Sequence, residues 1–437
     1  MNINHIVENA KSFENLIIQM ISEAENYTRS SRNCPVVSDK EFTLSLNIKT
    51  IVENQSGLDF LQKLKQKNII GLNELEIKIE QASSTFFDNL NSERRSKYVS
   101  EIATIIFKSI SDYINDQKVD YLKDFTELDG RDVYSGDGHY AKHATHTKKI
   151  NGKTPCFGAI YVQNIRNGTI LPISTIDSDT SSKPNELPIL KECLQDFITN
   201  HNLNKPILIY DRACIDYNFW TSTEKERENG CTIVTRVKKN TKLILKKELH
   251  IDEEDPLNIG ILEYSEVELS NAGIMYYVKY QDPETGDFHE FISSDKSLKP
   301  STIVFLYKLR WGIEKVFDVF KNKLNQRKAW ATSKAAHQAQ AHIIAMTYNL
   351  MHMIKINLEK AHDIKELKLI NKRIKALEVR KKKAEKNMNQ IHPFEFLFNH
   401  IYQMSKQFIR TFKNAIFDFL DWNDMIILFK DTMAKYV

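Results

Sequence analysis

Two Asn-Gly pairs, at 151–152 and 167–168, lie between short runs of strand-forming residues in the middle of the chain. Asn-Gly is the strongest two-residue signal for a β-hairpin, because both residues tolerate positive φ angles. The runs around the pairs are DVYSGDGHYAKHATH, PCFGAIYVQNI and ILPISTID. The sequence therefore predicts a three-stranded antiparallel meander joined by two-residue hairpin turns.

The segments that follow extend this meander into a mixed sheet. ELPILKECLQDFITNHN has helical periodicity, KPILIYD is an apolar run typical of a buried strand, and a helix near 217–229 precedes the strand CTIVTRV. Three antiparallel strands, a crossover helix and then parallel strands are the order expected of a ribonuclease-H-like core. We therefore predict an α/β fold in which helices flank a mixed sheet.

The periodicity of apolar residues divides the chain into five parts. Residues 1–125 have amphipathic helical patterns, and 361–437 is predicted to be a basic helical C-terminal region. The core occupies 126–240 and 299–360, and the second part begins with a long helix predicted over 301–328. Between them, 241–298 is rich in turns and strand-like runs, so we expect a β-rich insertion there.

Positive charge is concentrated in the last third of the chain. The net charge is +4, but residues 301–437 contain 25 basic and 12 acidic side chains. This asymmetry indicates a surface for a polyanion, nucleic acid first, although a solvated basic helix would have the same composition. A hydrophobic share of 41% excludes a disordered chain, and no apolar run is long enough to span a bilayer. We expect a soluble cytoplasmic protein with no membrane partner.

Two aspartates are placed as active-site carboxylates often are, within or at the end of a strand. Asp137 lies in YSGDGHYAK and Asp211 in ILIYDRACID. In the predicted core these two strands are neighbours, so the carboxylates should lie side by side. A site for two metal ions needs a third carboxylate, because the ions require bridging and flanking oxygen ligands.

The helix FLYKLRWGIEKVFDVFKNKL contains a candidate for that third carboxylate. At about 100° per residue, Tyr307, Arg310, Glu314 and Lys321 line one narrow stripe beside an apolar face. An unpaired charge at the border of a buried face is costly. The two aspartates elsewhere in the core are what make a functional role the preferred interpretation of this stripe. The alternative is an ordinary amphipathic helix with an Arg310 to Glu314 pair at i,i+4 spacing.

The spacing of these four residues resembles the Y-x-x-R-x-x-x-E-x-x-x-x-x-x-K signature of DDE transposases of bacterial insertion sequences, in the insertion-sequence-four-like group. Asp137-Gly138 resembles the first aspartate motif of that family, and Asp211-Arg212-Ala213 resembles the second. The resemblance covers roughly 130–360. It implies that Asp137, Asp211 and Glu314 are catalytic and bind two Mg²⁺ ions, for which Mn²⁺ would substitute.

The family resemblance also implies a reaction and partners. Water would nick the transposon end, and the freed 3′-OH would then attack target DNA. Tyr307, Arg310 and Lys321 would contact phosphates near the cut, as their family equivalents do. The partners would be double-stranded DNA, both terminal inverted repeats and target, with the helical region 1–125 binding ends. A homodimer would hold two transposon ends. The protein would be bacterial and associated with the nucleoid.

A second basic cluster follows the last predicted core strand. The stretch TRVKKNTKLILKK contains Arg236, Lys238 and Lys239 and no acidic residue, which indicates contact with phosphates. An edge strand protected from aggregation by lysines would look the same.

Two other functions are compatible with the same sequence features. One is a domesticated or regulatory DNA-binding protein that keeps the transposase fold. The other is a nuclease that uses the same carboxylates for hydrolysis only.

Overall fold

The structure of the chain is a computed structural model that describes residues 1, 3–29, 37–51, 57–66, 82–144, 146–152, 155–177, 185–211, 216, 218–219, 231–238, 240–269, 273–283, 285–362, 364, 406–418 and 420–434. Apart from residues 218 and 219, the predicted helix near 217–229 lies outside this set, as do residues 365–405 of the predicted basic C-terminal region.

The described residues before 117 form helices and the short connections between them. The helices are α1 (Ile3–Asn9), α2 (Phe13–Glu25), α3 (Asp39–Ile51), α4 (Gly57–Gln66), α5 (Ser83–Leu90) and α6 (Glu93–Asp116). Helix α6 begins where Ser92 accepts a hydrogen bond from the Arg95 N–H, a standard N-cap. Buried apolar residues recur at three- and four-residue spacing along it from Tyr98 to Ile114.

Among the described residues, nine strands form one sheet. Its strands are β1 (Val133–Lys142), β2 (Cys156–Asn164), β3 (Ile170–Asp177), β4 (Ile207–Ile209), β5 (Thr232–Arg236), β6 (Leu243–Glu248), β7 (Ile261–Leu269), β8 (Gly273–Gln281) and β9 (Phe288–Ser293). Their order is β3-β2-β1-β4-β5-β9-β8-β7-β6. Helix α7 (Glu186–Asn200) is the crossover between β3 and β4.

The pairing of the first five strands matches the predicted mixed sheet. Strands β1, β2 and β3 pair antiparallel, while β4 pairs parallel to both β1 and β5. The prediction of two-residue hairpin turns is wrong, because β1 is joined to β2 through 143–155 and β2 to β3 through 165–169. Asn151, Gly152 and Gly168 do have positive φ angles, so the Asn-Gly pairs form turns within longer connections.

The segment 241–298 extends the same sheet. Strand β9 pairs antiparallel with β5, with Val234 opposite Ser293, and β8, β7 and β6 follow in antiparallel order. The β-rich segment thus shares backbone hydrogen bonds with the strands of the core.

Helices cover both faces of the sheet. Helix α7 packs on one face, where Leu190 and Leu194 meet Leu208 of β4. The other face is covered by α8 (Pro300–Leu309), α9 (Trp311–Lys323) and α10 (Lys334–Ala361). Alternate residues of each strand enter the two cores because successive strand side chains point to opposite faces.

The long helix α10 connects the sheet to the N-terminal helices. The Asn349 side chain bonds both the N–H and the C=O of Ile170 on the edge strand β3. On the helical side, Thr347 bonds Asn47 and Thr50 of α3. The C-terminal helices α11 (Lys406–Phe417) and α12 (Trp422–Ala434) join the same hydrophobic core. Within the described residues, no helix is long and apolar enough to cross a membrane.

Candidate active site

Strand β1 presents Asp137 and His139 on the face of the sheet that α9 covers. His139 is buried, and its ring stacks on Phe317 of α9 with centroids 4.7 Å apart and planes at 27°. Phe317 lies one turn after Glu314 on that helix. The stack therefore joins the strand that carries Asp137 to the helix that carries Glu314.

The sequence predicts one continuous helix from 301 to 328, and this prediction is wrong at Arg310. Helix α8 ends at Leu309 and α9 begins at Trp311. The Arg310 N–H is shared between the Leu306 and Tyr307 carbonyls at 3.3 Å each, and the Ile313 N–H bonds the Arg310 carbonyl at 3.1 Å. The bonds to Tyr307 and from Ile313 each span three residues, which tightens the backbone into a 3₁₀-like turn at Arg310.

Arg310 lies between two of the three candidate carboxylates. Its Nη1 donates to Asp137 Oδ2 at 3.0 Å, and its Nη2 donates to Glu314 Oε1 at 2.8 Å. Arg310 is 5% exposed, whereas the Glu314 side chain is 45% exposed. The guanidinium is thus a buried cation that forms charge-assisted hydrogen bonds to both carboxylates.

The surroundings of Asp137 are rich in negative charge. Its pKa is raised to about 6, chiefly by burial, and the charges of Glu186 and Asp211 contribute to the rise. Arg310 and the Gly138 N–H, which donates to Asp137 Oδ1 at 2.8 Å, oppose it. The charge of Arg310 therefore does not fully offset the cost of ionising Asp137, and a further cation nearby would stabilise the carboxylate.

Asp211 directly follows Tyr210 at the end of β4, next to β1 in the sheet. Its charge raises the pKa of Asp137 and contributes to the raised pKa of Tyr307, for which burial is the main cause. Asp211 is therefore near both groups. Arg212 and Ala213, the rest of the second motif, lie outside the described residues.

The remaining predicted DNA-contacting residues differ in exposure. Tyr307 is 9% exposed, and its ring packs on Phe291 with centroids 5.0 Å apart. Arg236, at the end of β5, is close enough for its charge to lower the pKa of Tyr307. Lys321 and Lys238 are exposed. Lys239 lies outside the described residues.

Sequence reasoning missed Glu186, the first residue of α7. Its Oε1 accepts a hydrogen bond from the Tyr140 hydroxyl at 3.0 Å, and its Oε2 accepts one from the Tyr210 hydroxyl at 3.2 Å. The local signal was the pair of glycines, Gly136 and Gly138, which flank Asp137 and leave room beneath β1.

The segment that contains the candidate active site matches a known protein family. Residues 120–350, more than half of the chain, match the family model described as Transposase DDE domain. The chain belongs to this family. The matched region of this transposase-family chain contains Asp137, Asp211 and Glu314.

One solved structure with detectable similarity is a cryo-EM structure of the piggyBac transposase synaptic complex with hairpin DNA. It is 12% identical, with a TM-score of 0.38, over 96% of this chain and 78% of that chain. Among curated proteins, no significant match is found.

DDE transposases generally use divalent metal ions, and the candidate carboxylates fit such ions in chemistry. Asp137, Asp211 and Glu314 provide only oxygen ligands, which hard cations prefer. The Arg310 guanidinium already occupies a cation position between two of them. Across the part of the chain that the structure describes, no three His, Cys, Asp or Glu side chains are grouped closely enough to hold a metal ion.

Proposed function

We propose that this chain is a metal-dependent DNA transposase of the insertion-sequence-four-like group. It would cleave DNA strands at transposon ends and transfer the freed 3′-OH into target DNA. The observation that carries the proposal is the Arg310 bridge, in which one buried guanidinium bonds both Asp137 on β1 and Glu314 on α9. An ordinary amphipathic helix would need only the pair within the helix and not the bond to the strand.

The three carboxylates are proposed to share one task. Asp137, Asp211 and Glu314 would hold two Mg²⁺ ions, with Mn²⁺ as a substitute. When bound, such ions lower the pKa of an attacking water and stabilise the charge on the leaving 3′ oxygen. The pKa of Asp137 is raised chiefly by burial, and the charges of Glu186 and Asp211 add to the rise, so a cation bound here would offset the cost of ionising this carboxyl group.

Arg310 has the geometry to hold a phosphate group as well. It donates to two carboxylate oxygens, and phosphate oxygens are acceptors of the same kind. Because the 3₁₀-like turn fixes its backbone, the guanidinium stays beside Asp137 and Glu314. We propose that Arg310 orients the phosphodiester at the point of cleavage.

The other basic residues are proposed to follow the DNA backbone. Lys321 lies two turns after Glu314 on α9, and both side chains are exposed. Arg236 ends β5 close to Tyr307, and the exposed Lys238 lies two residues further along the chain. Lys239 and the helical region 1–125 complete the proposed DNA-binding surface. A homodimer would allow two DNA ends to be held together.

The experiment that tests this function is strand cleavage with Glu314→Gln. Duplexes carrying the ends that flank the gene are incubated with Mg²⁺ or Mn²⁺, and nicks are mapped. The wild-type protein should cut at the element boundary, whereas Glu314→Gln should not cut and should bind the same DNA with unchanged affinity. Asp318→Asn, an exposed change one turn along α9, is the matched control and should cut normally.

The outcomes separate the competing functions. Cleavage by Glu314→Gln at the wild-type rate would contradict the role of this carboxylate. Specific binding without cleavage by the wild-type protein would favour a regulatory DNA-binding protein. Cleavage without joining of the 3′ ends to a supercoiled target would favour a nuclease that only hydrolyses DNA.

A further inference from the structure

A carboxylate outside the three-carboxylate signature lies against the strands that carry both aspartates. Glu186 begins α7, where Asn185 caps the helix by accepting a hydrogen bond from the Leu187 N–H. The two carboxylate oxygens of Glu186 accept separate hydrogen bonds, from the Tyr140 and Tyr210 hydroxyls. Bonds to an ionised acceptor are roughly twice as strong as bonds between neutral groups.

The two tyrosines are close in sequence to the two aspartates. Tyr140 is three residues after Asp137 on β1, and Tyr210 immediately precedes Asp211 at the end of β4. Because side chains alternate along a strand, Tyr140 points to the face opposite Asp137. Glu186 therefore joins both aspartate-bearing segments from the face of the sheet that α7 covers.

The glycines beside Asp137 make this arrangement possible. A Cβ added to Gly138 would lie 2.1 Å from Glu186 Oε1, and one added to Gly136 would lie 2.3 Å from the Tyr210 ring. Neither glycine has a positive φ, so backbone conformation does not require glycine at either position. A Cβ at either position would instead force a neighbour to shift, the end of the Glu186 side chain beside Gly138 and the Tyr210 ring beside Gly136.

We propose that Glu186 is a positioning residue: by bonding Tyr140 and Tyr210 it holds the segments that carry Asp137 and Asp211 side by side and so supports the binding of divalent metal ions. This inference rests on the proposed function. A carboxylate suits the task because each oxygen accepts one hydroxyl hydrogen bond. Glutamine offers one acceptor oxygen and no charge, and its NH₂ group could meet the second tyrosine only if that hydroxyl reversed its role and accepted. Glu186→Gln therefore replaces two charge-assisted bonds with weaker bonds between neutral groups.

The test measures metal binding and does not depend on cleavage. The full-length protein without DNA is titrated with Mn²⁺, and the free ion is counted by electron paramagnetic resonance. Substitution of a residue that supports metal ligands typically lowers metal affinity by roughly 10- to 100-fold. We therefore expect Glu186→Gln to weaken Mn²⁺ binding about 10-fold. Glu192→Gln, an exposed change on the same helix, is the matched control and should bind Mn²⁺ like the wild type.

Two milder variants distinguish a loss of metal binding from a general loss of folding. Tyr140→Phe and Tyr210→Phe each remove one hydroxyl, and each should weaken Mn²⁺ binding while the melting temperature without metal stays close to that of the wild type. Adding Tyr140→Phe to Glu186→Gln should cause less further loss than Tyr140→Phe alone, because the carboxylate that receives the bond is already gone.

The results distinguish the inference from the function on which it rests. If the wild-type protein binds Mn²⁺ and all three variants bind it equally well, Glu186 has no positioning role and the inference is overturned alone. If the wild-type protein binds no Mn²⁺, both the proposed function and the inference are contradicted.

Discussion

Asp137 should make the metal-free protein less stable at neutral pH, and Asp137→Asn should relieve that cost. The pKa of Asp137 is raised from 3.8 to about 6, with burial as the main cause. At about 1.4 kcal/mol for each tenfold change in proton affinity, ionisation of this group in the folded protein costs about 3 kcal/mol. Catalytic sites often carry such a cost, because the same charge is needed to bind a cation.

The sign of the pH dependence follows from the direction of the shift. The folded protein binds the Asp137 proton more tightly than the unfolded chain, so between pH 4 and 6 the free energy of unfolding falls as pH rises. Above that window the cost is fully present, and below it the cost disappears. Asparagine cannot ionise, so the free energy of unfolding of Asp137→Asn should exceed that of the wild type by up to about 3 kcal/mol at pH 8. At pH 4 the two proteins should be almost equally stable.

Thermal denaturation in EDTA at these two pH values is the assay. A change of 1 kcal/mol moves the melting temperature of a domain of 150–250 residues by roughly 2–4 °C, so the gain at pH 8 should be easily measured. Asp318→Asn, an exposed substitution, should change little at either pH. An Asp137→Asn protein that is less stable than the wild type at pH 8, or whose difference does not vary with pH, would refute the reasoning.

Two further substitutions test the same site. Gly138→Ala should lower stability by about 1–3 kcal/mol in urea denaturation, because its Cβ would meet Glu186 Oε1 at 2.1 Å; an unchanged urea midpoint would show that Glu186 moves away freely. Arg310→Gln removes a charge that lowers the pKa of Asp137. The pH window over which metal-free stability falls should therefore extend above pH 6 in thermal melts, while Arg310→Lys, which keeps the charge, should shift it less. A window identical to that of the wild type would argue against the Arg310 pairing.

Local sequence signals predicted the main elements of the fold correctly. The antiparallel meander, the crossover helix α7 and the parallel strands β4 and β5 follow from alternation of apolar residues and from turn residues, which act over a few positions. The mixed sheet with flanking helices is confirmed. Spacing along a helix also identified Arg310 and Glu314 as neighbours, since residues four apart lie on one face.

Contacts between distant segments were decided only by the tertiary structure. The sequence alone could not show that Arg310 also bonds Asp137, that the helix tightens at Arg310, or that 241–298 pairs with β5. Glu186 has no local pattern of its own, because its role depends on two tyrosines that only the sheet brings together. Periodicity records which face of an element is buried, but the partner on that face is chosen by packing among segments far apart in the chain.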